Sequence, residues 1–150
     1  MPSKPIPTPN EQGFLDLQEM WKALLNCDWQ SLTLVPTDHG MAVQQVVDAF
    51  QSVADSVEPP ILFIDARGVD VSRGKQLAHE AEAALASPSR LVVVVDPLIH
   101  SLSGAHLVRC AHAVLLVVRV GAMDVDALTS TVSMVGAERI VGSVTAPVAA

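Results

Sequence analysis

Tyrosine is absent from this chain of 150 residues, and only two cysteines, two tryptophans and three phenylalanines occur in it. No tyrosine hydroxyl is therefore available to accept a phosphoryl group. Cys27 and Cys110 stand far apart and outside any CxxC or Cys/His ligand spacing, which suits reduced structural thiols better than a disulfide framework or a zinc site. Positive charge is also scarce: nine Lys and Arg face sixteen Asp and Glu, a net charge of −7. Nucleic acid demands a basic face, so it is not an expected partner. Long apolar runs are missing too. None approaches the roughly 18 consecutive residues that a membrane span needs, and the opening MPSKPIPTPN has no apolar stretch of the kind a signal peptide carries. A cytoplasmic protein without direct membrane insertion is the expectation.

What is present is apolar and arranged in blocks. Half of the residues are hydrophobic and 17% are charged, enough for one substantial core in a chain of single-domain size. Prolines at 2, 5, 7 and 9 mark residues 1–10 as a flexible lead, because proline removes ladder donors and disfavours helix interiors. Residues 11–150 then read as a single domain. Phe14, Leu17, Met20, Trp21, Leu24 and Leu25 recur at helical spacing and predict a helix over 11–26. Leu32 to Val35 predicts a strand, followed by a helix whose inner face carries Val43, Val46, Val47, Phe50, Val53 and Val57. Ile61 to Ile64, Leu91 to Val95, Ala113 to Val120 and Ile140 to Val144 are continuous and largely β-branched, the pattern of strands buried on both faces. Helices over 74–86, 102–111 and 124–135 separate them. Strands alternating with helices predict an α/β fold, a doubly wound and mainly parallel five-stranded sheet with helices on both faces.

In such a sheet ligands bind outside the carboxyl ends of the strands, so the residues that follow each strand carry the functional question. ILFID ends at Asp65 and VVVVD at Asp96. Each aspartate can hold Mg²⁺ or its water, or can cap the next turn, and sequence leaves both readings open. After the first strand comes Pro36-Thr37-Asp38-His39-Gly40-Met41-Ala42. A phosphate-cradling loop needs several glycines, a lysine and a Ser or Thr hydroxyl. This one offers Gly40 alone, puts Met41 and Ala42 where lysine and hydroxyl belong, and adds the charge of Asp38. Asp38, His39, Gly40, Met41, Ala42, Asp65 and Asp96 together make up a degenerate nucleotide site that should repel ATP. A second candidate, a contact for an anion or a partner, is the cationic stretch Arg67, Arg73 and Lys75 with Gly68 and Gly74; a solvated loop is the alternative. The five histidines show no metal-ligand constellation, and no cofactor or metal is expected. A small enzyme using Asp65, Asp96 and His100 is the remaining catalytic reading.

The stretch from Leu91, with VVVVDP at Val92 to Pro97, a strand at Val114 to Gly121 and a final strand at Arg139 to Val144, resembles the C-terminal half of bacterial tyrosine autokinases and their MinD/ParA-type relatives. Asp96-Pro97 lies where that family has its Walker B aspartate, and Ile61 to Arg67 is similar to its Walker A′ strand. The resemblance implies a P-loop-like domain, the cytoplasmic part of a polysaccharide co-polymerase system. With the Walker A residues replaced by Met41 and Ala42, and with no C-terminal tyrosine cluster, it implies a non-catalytic pseudokinase. Such a protein would act by contact with a protein partner, a membrane-embedded component of exopolysaccharide synthesis or export that recruits it to the inner membrane. Face-to-face pairing into a homodimer is a further implication of the resemblance, as is the other reading of the site, a MinD/ParA-like nucleotide switch with a non-standard phosphate loop.

Overall fold

A computed structural model describes residues 9–37, 42–57, 60–100, 102–109, 111–119 and 125–146. Along the chain run α1 (Pro9–Leu25), β1 (Ser31–Pro36), α2 (Ala42–Ala54), β2 (Leu62–Asp65), α3 (Val71–Leu85), β3 (Leu91–Val94), α4 (Leu102–Arg109), β4 (Ala113–Arg119), α5 (Val125–Val135) and β5 (Ile140–Ala146). Single 3₁₀ turns at Leu98–His100 and Ala137–Arg139 precede α4 and β5. All strand pairs among the described residues are parallel, in the order β2-β3-β1-β4-β5. The expected α/β sheet with helices on both faces is therefore what forms.

Strand geometry sends successive side chains to opposite faces, and this divides the apolar blocks into two cores. Leu32, Leu34, Val92, Val94, Leu115 and Val117 pack with Trp21 of α1 and Val46 and Phe50 of α2. Val35, Leu91, Val93, Val95, Val114 and Leu116 pack with Leu77 of α3, Leu107 of α4 and Val135 of α5. Trp21 fixes α1 on α2: it is fully buried, its indole N–H donates to the Val46 carbonyl at 3.0 Å, and its ring lies 4.8 Å from that of Phe50.

Three local expectations need correction. Pro9 and Asn10 belong to α1 rather than to the lead, because proline is well tolerated in the first helical turn, where its missing N–H costs no hydrogen bond. The rest of the lead, residues 1–8, lies outside the described residues. β2 and β5 are not buried on both faces. They form the two edges of the sheet, with Leu62 42% and Val141 52% exposed, since a run of β-branched residues does not reveal how many neighbours a strand has. Finally, Arg73, Gly74 and Lys75 are not in a loop. α3 begins at Val71, capped by the Asp70 carboxylate, which accepts the Arg73 amide at 2.7 Å.

Candidate functional site: the crevice at the ends of β2 and β3

β1 hands its chain to α2 on one face of the sheet, whereas β3 hands its chain towards α4 on the other. Because β1 and β3 are neighbours, their carboxyl ends diverge into a crevice, the position where open α/β sheets take ligands. Thr37, just past β1, is tied down by its amide and hydroxyl, both directed to the Val117 carbonyl of β4. Asp38, His39, Gly40 and Met41 lie outside the described residues, and Ala42 opens α2. His100 ends the turn after β3.

β2 pairs with β3 so that Asp65 lies beside Val94, two residues before Asp96. The two aspartates thus sit on adjacent strand ends, as their place after apolar runs in successive β-α units requires. Arg67 folds back on Asp65. Its backbone N–H and its Nε–H both donate to Asp65 Oδ1, at 3.1 and 3.0 Å, and a terminal guanidinium nitrogen donates to Oδ2 at 2.9 Å. That same nitrogen donates to Gln44 Oε1 at 2.9 Å, and Gln44 in turn donates its amide to Asp48 Oδ1 at 2.7 Å. Gln44 and Asp48 both belong to α2, so the contact ties the residues after β2 to that helix. The next residue, Gly68, turns with φ of 74°, a conformation that favours glycine. Its N–H donates to Asp96 Oδ2 at 2.6 Å, a short charge-assisted bond.

The electrostatics follow this geometry. The Arg67 hydrogen bonds hold the Asp65 carboxyl below its ordinary value of 3.8, partial burial opposing them. The Asp65 hydrogen bond raises Arg67 above its own ordinary range, and the nearby charges of Asp96 and Asp48 add to the effect. Arg67 is therefore the cation that answers three carboxylates. It does not join Arg73 and Lys75, which lie exposed on α3, Arg73 facing Glu80 and Gln76. Composition hinted at a cation near Asp65 but not at its partners: Gln44 is 23 residues from Arg67, and Asp96 is 28 from Gly68.

At the opposite end of the sheet a cleft of about 540 Å³ is lined by residues that include Cys27, Trp29, Gln30, Arg90, His112 and Val141. Several of its polar groups serve the fold. Arg90 donates to the carbonyls of Leu25 and Cys27, at 2.6 and 2.8 Å, and lies 4.8 Å from the Trp29 ring centre. The Trp29 indole donates to Leu24 and the Gln30 amide to Leu85, at 2.7 and 2.8 Å. No group of three or more His, Cys, Asp or Glu side chains suited to a metal occurs among the described residues, and no described helix is long and apolar enough to cross a membrane.

A five-stranded parallel sheet with a crevice beyond β1 and β3 and acidic residues ending β2 and following β3 is the arrangement expected of a P-loop-like fold. Comparison with solved structures bears this out. The kinase domain of the Escherichia coli tyrosine kinase ETK superposes with a TM-score of 0.72 at 14% identity, over 99% of this chain and 82% of that one. The VpsO kinase domain gives 0.70 at 12%, over 92% and 95%, and the chimerical protein CapA2B2 gives 0.64 at 9%, over 91% and 85%. No protein-family profile and no curated protein matches the chain. At such identities the likeness shows the fold.

The Mg²⁺-nucleotide that the sequence resemblance implies would meet, among the described residues, carboxylates that already have donors within the chain. Both Asp65 oxygens accept hydrogen bonds from Arg67, and Asp96 Oδ2 accepts the Gly68 amide. A metal ion at Asp65 would have to compete with a guanidinium already bound to both of its oxygens.

Proposed function

We propose that this protein is a non-catalytic member of the P-loop kinase-like fold that works by contact with a protein partner. The observation that carries the reading is the engagement of Asp65 by Arg67. A carboxylate whose two oxygens are held by its own chain is poorly placed to orient Mg²⁺ or a nucleophile. Met41 and Ala42, which follow β1 in the sequence, support the same reading, because neither side chain supplies an ammonium group for phosphate or a hydroxyl for Mg²⁺. The pathway comes from the resemblance to tyrosine autokinases: an accessory role in exopolysaccharide synthesis or export, in the cytoplasm, with recruitment to the inner membrane by the partner. Arg73 and Lys75, exposed on the first turns of α3, are the cations we assign to that partner's surface.

Calorimetric titration with Mg-ATP tests the reading. Charge-assisted phosphate contacts are worth about 1.5–3 kcal/mol each, so losing two turns a micromolar site into a roughly millimolar one. The expected result is no measurable heat at micromolar nucleotide. Micromolar affinity for Mg-ATP would defeat the proposal.

A further inference from the structure

We infer that the Arg67 guanidinium is a resident counter-ion, standing in this chain for the divalent cation that the carboxylates at the ends of β2 and β3 would otherwise need. The inference rests on the non-catalytic reading and deepens it, because it says what holds the crevice together without nucleotide. Three features support it. The first is the pairing itself: Arg67 engages both oxygens of Asp65 through a planar fork, which matches carboxylate geometry as a point charge does not. The second is its reach. A single guanidinium nitrogen bridges Asp65 on the edge strand and Gln44 in the first turns of α2, and Gln44 carries the link on to Asp48. The gap between the edge strand and α2 is thus spanned by the chain's own side chains. The third is the turn. Gly68, with its positive φ, brings a backbone amide onto Asp96, so the second carboxylate also has a donor within the chain. Asp65, Asp96 and Asp48 all act on Arg67, and partial burial opposes them.

The functional consequence is a crevice fixed in one state. Whatever surface α2 and the β2 end present to a partner is formed without nucleotide or Mg²⁺, so binding should be constitutive.

Thermal unfolding of the full chain in millimolar MgCl₂, set against NaCl of equal ionic strength, tests this. The wild type should unfold at the same temperature in both salts. Arg67→Gln should unfold about 2–4 °C lower in NaCl and regain at least half of that loss in MgCl₂, as the ion enters the place vacated by the guanidinium. Arg67→Gln combined with Asp65→Asn should show no Mg²⁺-specific gain. Arg67→Lys, which keeps the charge but not the fork, should gain less than Arg67→Gln and keeps the test decisive if the glutamine variant does not fold. A wild type stabilised by Mg²⁺ as much as the variants, or variants indifferent to it, would overturn the inference. No nucleotide is present in these scans, so failure here concerns Arg67 alone, whereas capture of Mg-ATP by the wild type would speak against the underlying reading.

Discussion

The two ends of the sheet each carry an arginine that binds oxygen, and the oxygens differ. At the amino ends of the strands, Arg90 donates to the carbonyl of Leu25 at the end of α1 and to that of Cys27 just beyond it, and lies against Trp29. At the carboxyl ends, Arg67 donates to a carboxylate and a glutamine. Carbonyls do not titrate, and that of Leu25 carries the negative end of the α1 dipole, so Arg90 is a permanent fastener. Carboxylates titrate and bind metal. Arg67 therefore holds a contact that depends on conditions, at the place where the fold puts chemistry. The same residue type builds scaffold at one end of the molecule and occupies the site at the other.

The largest effect expected on stability comes from the scaffold end. Arg90→Ala removes two charge-assisted bonds and a cation–π contact and should cost about 2–3 kcal/mol. Thermal unfolding should fall by about 4–10 °C, equally at neutral and mildly acid pH. A loss that grew or vanished with acid would mean that Arg90 answers a titrating group, and the contrast between the two ends would fail.

A smaller, pH-dependent effect belongs to the crevice. Because Asp65 is held below its ordinary value of 3.8 in the folded chain, its pairing adds stability that is fully present above 3.8 and fades as pH falls through the lowered folded value. The pair is partly open to solvent, with Arg67 27% and Asp65 45% exposed, so at neutral pH Asp65→Asn should cost no more than about 1 kcal/mol. Urea titrations of wild type and variant should converge once pH lies below that folded value; a constant gap would show that the loss is steric.

How far the sequence reveals these two ends follows from their physics. Apolar blocks mark β1, β3 and β4 because central strands must be apolar on both faces, and Trp21, Val46 and Phe50 mark the first helices because helical periodicity places them on one side. The aspartates were legible for the same reason, as polar stops after apolar runs. Arg67 is legible as a cation two residues from Asp65, but not as the partner of Gln44 or the neighbour of Asp96, since those proximities exist only once the end of β2 lies beside α2 and β3. Arg90, which the sequence offers only as one of a few scattered basic residues, owes its role to the end of α1, 65 residues earlier at Leu25.

Arg73 gives the smallest effect and sharpens the comparison from outside it. Its guanidinium lies 3.6 Å from Glu80, with both side chains more than half exposed, and such a pair contributes little. Arg73→Ala should change stability by less than about 0.5 kcal/mol, within the scatter of a thermal scan. A loss as large as that of Asp65→Asn would mean that α3 depends on this cation for more than a surface contact.

The position of β1 at the centre of the sheet also bears on how the chain reaches this state. β1 pairs with β3 and β4, and its Ser31 hydroxyl accepts the His112 amide from 81 residues downstream. At synthesis rates of about 5–20 residues per second, β1 waits roughly 4–16 s for its second neighbour. During that interval α1 and α2 can cover only one of its faces, and its N–H and C=O groups have no strand on the β4 side. Contacts of such long sequence separation also place the domain among slower folders than its modest size suggests, and make the nascent chain most vulnerable to mispairing just before residues 113–117 emerge.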